Sequence, residues 1–156
     1  MVTRSSALDA SSALVLQASR LIRIVRRNSH EIPAASVRLL SLVDQYEAAT
    51  IKELAAADQC SQPTMTGLVN GMAERGWLRR DPNPADARSS FVSLTEAGRA
   101  ELHKARAENA ELILERAARA DISADELANA ASVIDRIVRT DGLVTRPPAA
   151  PQPPKN

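Results

Sequence analysis

The sequence predicts a mostly α-helical fold that carries one small two-stranded β-hairpin, and three observations lead there. Ala, Leu, Arg and Glu abound while Tyr46, Trp77 and Phe91 are the only aromatic residues, a composition typical of helical chains. Apolar residues recur at helical spacing through long runs without Gly or Pro on both sides of a central region. Within that central region, two short β-type segments are joined by a stretch of turn-forming residues. With 156 residues, 44% hydrophobic and 25% charged, the chain can bury one core, and a single domain is expected.

The elements follow in order. Residues 8–27 hold Leu8, Leu14, Val15, Leu16, Leu21, Ile22, Ile24 and Val25, which predicts a long helix with a broad apolar stripe that needs more than one packing partner. Arg20, Arg23, Arg26 and Arg27 gather near its end, where positive charge suits the helix dipole. A second helix is predicted over 34–46, with Val37, Leu40, Leu42 and Val43 at core spacing. Thr50 with Glu53 forms a capping-box pattern that opens a short third helix over 51–58. Ser61 is the N-cap of a fourth, with Pro63 in its first turn, where a missing N–H has no helical partner to lose. Met65, Leu68, Val69 and Met72 put one face of that helix in the core. Gly76 ends it. Trp77 to Arg80 and Phe91 to Leu94 read as strands, and the Pro-, Asn- and Asp-rich stretch between them reads as an exposed turn. Thr95 caps a helix that runs to about Ala120, and Ser123 caps another whose stripe is Leu127, Val133, Ile134, Ile137 and Val138.

A helix-turn-helix followed directly by a hairpin is a winged helix-turn-helix. The run TIKELAAADQCSQPTMTGLVNGMAERGWLRR, residues 50–80, resembles the positioning helix, turn, recognition helix and first wing strand of the multiple antibiotic resistance regulator (MarR) family. DPNPADARSSFVSLTEAG, residues 81–98, resembles its wing: Asp86 and Arg88 match a D-x-R pattern, and Leu94, Thr95 and Gly98 match the L-T-x-x-G that opens the family's dimer helix. The resemblance implies one MarR-like subunit over 8–145, with its winged helix-turn-helix over about 34–95. The helices of about 8–30 and 96–145 form a dimerisation domain, and the Pro-rich tail 146–156 is expected to be disordered.

It also implies a homodimer on double-stranded DNA, with the recognition helix in the major groove and Arg88, oriented by Asp86, in the minor groove. A planar guanidinium suits the negative potential of a narrow minor groove; taken alone, the two residues would read as a surface ion pair. The recognition helix presents Gln62, Thr66 and Asn70, with Ser61 and Thr64 at its N-terminal edge, which supply donors and acceptors for base edges and phosphates but no long cation. Arg80 joins them from the first wing strand. Three departures stand out: Gly67 and Gly71 replace longer, often charged residues, and Asp58 takes an apolar position, where it is expected to end the third helix in solvent. Relatives often take small aromatic or phenolic anions in a cleft between dimer helices and winged domain. Arg20, Arg23 and Arg38 are candidates for such a small-molecule effector, although solvated arginines are the plainer reading.

Other chemistry finds little support. The one cysteine and two histidines allow no internal disulfide and no Cys/His zinc cluster, and no cofactor or metal is expected. Cys60 sits where the turn wants a small apolar residue, so packing outweighs a redox role. His30 and His103 are isolated. No nucleophile, P-loop or zincin motif is present, so an enzyme is not expected. Apolar stretches are too short for a membrane span and no leader is evident, which points to a cytoplasmic protein. Net charge is +1, and residues 50–99 hold six basic and six acidic residues. That neutrality favours the alternative of a winged-helix module that binds protein.

Overall fold

Hydroxyl side chains set all but one of the described helix starts. The computed structural model describes residues 3–27, 32–86 and 88–140; His30 and the Pro-rich tail lie outside them. Helix α1 (Arg4–Arg26) begins four residues earlier than expected, because Thr3 accepts from the Ser6 backbone N–H. Helix α2 spans Ala34–Tyr46 behind Pro33. Thr50 and Glu53 make the full capping box at the start of α3 (Ile51–Ala57). Ser61 accepts from the Thr64 N–H at the start of α4 (Gln62–Glu74). Thr95 opens α5 (Glu96–Arg119), and Ser123 with Glu126 opens α6 (Ala124–Arg139) in a second capping box. The backbone N–H and hydroxyl of Ser123 both donate to the Glu126 carboxylate and hold its pKa below the ordinary value. That contribution to stability is present above the ordinary carboxylate range and is lost as pH falls through the lowered value.

Three helices end the same way. Gly76 takes a φ of 72° after α4, and the N–H groups of Gly76 and Trp77 return to the Ala73 and Met72 carbonyls. Gln59 after α3 (φ 53°) and Asp121 after α5 (φ 55°) repeat this arrangement without glycine. The paired return bonds satisfy carbonyls that the helix end would leave open.

The sheet has three strands, one more than the hairpin expected from sequence. Strands β2 (Leu78–Pro82) and β3 (Ser90–Leu94) pair antiparallel from Leu78–Leu94 to Pro82–Ser90, and β1 (Ala49–Thr50) pairs with the other edge of β3 through Ala49–Val92 and Thr50–Phe91. A two-residue strand has no periodicity to read. Pro82 closes β2, where a missing donor is tolerated.

Leu39, Leu40 and Val43 of α2, Leu54 of α3, Met65 and Val69 of α4, Val92 of β3 and Leu102 of α5 form one core under the sheet. The Asp44 carboxylate accepts from Arg99 at 3.5 Å and Arg106 at 3.0 Å, tying α2 to α5. By contrast, α1 and α6 bury no residue at all.

Candidate nucleic-acid interface

The fourth helix is amphipathic in the way its sequence predicts. Met65, Val69 and Met72 are buried, Leu68 is half-buried, and the opposite face carries Ser61, Gln62, Thr64 and Asn70 in the open with Thr66 half-buried. Three hydroxyls are already engaged: Thr66 donates to the Gln62 carbonyl at 2.8 Å, and the Ser61 and Thr64 hydroxyls lie 2.8 Å apart. Each retains acceptor capacity for a partner outside the chain.

Arg80 reaches from β2 to this face. Its Nη2 donates to Asn70 Oδ1 at 2.6 Å, so two residues ten apart in sequence form one polar unit beside the helix. This supplies the cation that α4 lacks, and the side-chain separation gave no sequence signal. Arg79, next along the strand, is committed to Asp81 at 3.1 Å and to the Ser93 hydroxyl at 2.9 Å.

The loop between the wing strands is built from its own polar side chains. Asn83 Oδ1 accepts from the Ala85 N–H at 2.9 Å while its Nδ2 donates to Ser89 Oγ at 2.8 Å, and Asp86 Oδ1 accepts from the Arg88 backbone N–H at 3.0 Å. Asp86 therefore holds the main chain at Arg88, and its hydrogen bond is to the backbone rather than to the guanidinium. Arg88 is exposed at the loop. Its cation is presented by a turn whose shape Asx-type bonds fix.

Gly67 and Gly71 are not demanded by packing, since a Cβ at either would meet nothing within 4 Å. Gly67→Ala should therefore raise the melting temperature, reflecting about 1 kcal/mol of regained helix propensity, as thermal unfolding followed by circular dichroism would measure.

Two expectations are corrected. Asp58 does not end α3 in solvent: its side chain is 8% exposed and accepts both Nε (2.5 Å) and Nη2 (3.0 Å) of Arg38. That bond raises the pKa of the Arg38 guanidinium above its ordinary value. Nor do the proposed anion-binding arginines converge. Arg38 lines a cavity of about 380 Å³ with Leu21, Ile22 and Val25 of α1, Val37 of α2 and Asn109 of α5, whereas Arg20 and Arg23 border a separate hollow on α1. Asn109 Oδ1 is buried in the cavity region without a hydrogen-bond partner among the described residues.

Cys60 is half-buried against the core, as the packing reading expects, and His103 is exposed on α5. Among the described residues, no group of three or more His, Cys, Asp or Glu side chains is placed to hold a metal, and no helix is long and apolar enough to cross a membrane.

Comparison with known proteins agrees with this architecture. The MarR family model matches residues 32–90. An uncharacterized helix-turn-helix-type transcriptional regulator of Mycobacterium leprae is 33% identical over 97 residues, covering 61% of this chain and 67% of that protein. The chain thus spans about two thirds of that relative's length. A structure of a proposed transcriptional regulator from Pseudomonas aeruginosa superposes with a TM-score of 0.70 at 25% identity, covering 89% of this chain and 97% of that one. The fold is shared with a mutant MarR from Escherichia coli complexed with operator DNA, at a TM-score of 0.57 and 19% identity over 85% of this chain and 95% of that one. On the strength of the family match and the Mycobacterium leprae relative, the chain belongs to the MarR family of transcriptional regulators.

Proposed function

We propose that this regulator binds double-stranded DNA sequence-specifically as a homodimer and represses transcription by occluding a near-palindromic operator. The observation that carries the reading is the exposed polar face of α4 flanked by two arginines from the wing, Arg80 bonded to Asn70 and Arg88 at the loop. Ser61, Gln62, Thr64, Thr66 and Asn70 approach base edges or phosphates in the major groove. Arg80 adds a phosphate contact, and Arg88 enters the minor groove from the turn that Asp86 fixes. The dimer is formed by the helices of about 8–30 and 96–145; among their described residues, Leu14, Leu21, Leu114, Ile134 and Ile137 are left exposed by the single chain. Two-fold symmetry sets half-sites about one helical turn apart.

A small aromatic or phenolic effector fits the cavity between α1, α2 and α5. Its walls are mainly aliphatic, and the unpartnered Asn109 Oδ1 suits a hydroxyl donor. Occupancy would act by favouring a dimer whose recognition helices are wrongly spaced.

The test is binding to the DNA upstream of its own coding sequence beside scrambled DNA, at about physiological salt, with Arg88→Ala in parallel. Specific, salt-sensitive binding is expected, weakened about tenfold by Arg88→Ala, with the dependence on salt reduced by about one counterion. Absence of any sequence preference at every salt concentration would favour the protein-binding winged-helix module that the neutral charge of residues 50–99 suggests.

A further inference from the structure

We propose that the Arg38–Asp58 pair is a positioning latch that fixes the helix-turn-helix turn, and with it the recognition helix α4, at the angle to α2 that DNA reading needs. The inference rests on the DNA-binding reading above and concerns residues outside the proposed contact surface.

Four observations converge on this pair. The Arg38 fork engages both oxygens of Asp58, a geometry that fixes direction as well as distance. The Asp58 side chain is 8% exposed, unlike the exposed partners of Arg119 and Arg139 on α5 and α6. A carboxylate so shielded from water has its hydrogen bonds supplied by its partner, which holds it in place. Asp58 is the C-cap of α3, directly precedes Gln59, whose φ of 53° makes the turn, and stands three residues before Ser61, which caps α4. The turn between the two helices is therefore held from outside at one point. Finally, α2 carries a second acid–base contact further along, from Asp44 to Arg99 and Arg106 of α5. One helix thus grips the DNA-reading turn at Arg38 and the long helix α5 at Asp44. Arg38 also borders the cavity between α1, α2 and α5, so a change there meets the latch directly.

The sign of the charge effect separates positioning from electrostatics. Asp58→Asn removes a negative charge, and charge alone predicts tighter DNA binding. A latch predicts the reverse. Arg38→Lys keeps the cation but loses the fork, so charge alone predicts no change.

The experiment selects duplexes from a random library with the wild-type protein, then measures their affinity for both single variants and the combined variant well below every melting temperature. Amide exchange over residues 60–68 is followed in the free proteins. Asp58→Asn and Arg38→Lys are each expected to weaken binding about tenfold and to speed exchange in this segment, and the combined variant to lose no more than Asp58→Asn alone. Wild-type or tighter binding by Asp58→Asn, or additive losses in the combined variant, would overturn the latch. If Asp58→Asn unfolds at the assay temperature, Arg38→Lys carries the same test. If the wild type enriches no duplex, the DNA-binding reading fails, and the latch is judged on exchange alone: unchanged exchange over residues 60–68 in the single variants overturns it.

Discussion

Gly98→Ala should destabilise the protein by at least about 2 kcal/mol, lowering the melting temperature by about 4 to 8 °C at fixed protein concentration. Gly98 lies in the first turn of α5 and is buried against the chain that enters β2. A Cβ there would collide with the Trp77 carbonyl oxygen and stand 2.9 Å from the Trp77 carbonyl carbon. Both atoms are backbone, so no side-chain rotation relieves the overlap. The same carbonyl accepts from the Thr95 N–H at 3.0 Å, and the Thr95 hydroxyl donates to the Gly76 carbonyl at 2.6 Å while accepting from the Gly98 N–H at 3.0 Å. Moving Trp77 away would disturb the joint between the end of α4, the wing and the start of α5 together. The methyl would also raise helix propensity by about 1 kcal/mol, so a fall in melting temperature means the collision outweighs that gain. Gly67→Ala is the internal control, because it adds the same methyl in open space and carries the opposite predicted sign. Unchanged stability in Gly98→Ala would mean that the wing and α5 meet less tightly than this geometry requires.

The L-T-x-x-G pattern is legible in the sequence as a motif, and its three-way joint explains why those residue types occur at that spacing. Caps are equally legible, because Thr50, Ser61, Thr95 and Ser123 act within three residues of themselves. The buried stripe of α4 is legible for the same reason: helical periodicity is a local signal. What escapes is non-local or very short. Asn70 and Arg80 stand in the sequence as separate DNA contacts, and only the packing of β2 against α4 makes them a unit. Asp58 reads as solvated because its partner is twenty residues away on another helix. Strand β1 escapes because two residues carry no pattern. The D-x-R spacing suggests that the wing aspartate orients a guanidinium, whereas its carboxylate bonds the main chain at Arg88; spacing alone cannot distinguish these.

Ile134→Asp combined with Ile137→Asp should convert the proposed dimer to a monomer at micromolar concentration. The 16 residues of α6 bury no side chain within the chain, and an isolated helix of that length is marginal in water. Yet Val133, Ile134, Ile137 and Val138 line one side of it, while Asp135 and Arg139 pair on another at 2.8 Å. Helix α1 repeats the situation with Leu14, Leu21 and Ile22 exposed, and Leu14 and Leu21 share a groove with Ile134. These two helices therefore present a joint apolar surface that water disfavours. Burying an isoleucine contributes about 1.5 to 3 kcal/mol, and two-fold symmetry counts every substitution twice. Replacing even one such contact per subunit thus weakens association by about 3 to 6 kcal/mol, roughly a hundredfold to ten-thousandfold or more, before the penalty for burying carboxylates is added. Sedimentation velocity on wild type and variant reads the change directly, and circular dichroism checks that the winged domain, whose core lies elsewhere, stays folded. A variant that remained dimeric would move the subunit contact away from α6, and with it the expected spacing of the two recognition helices on DNA.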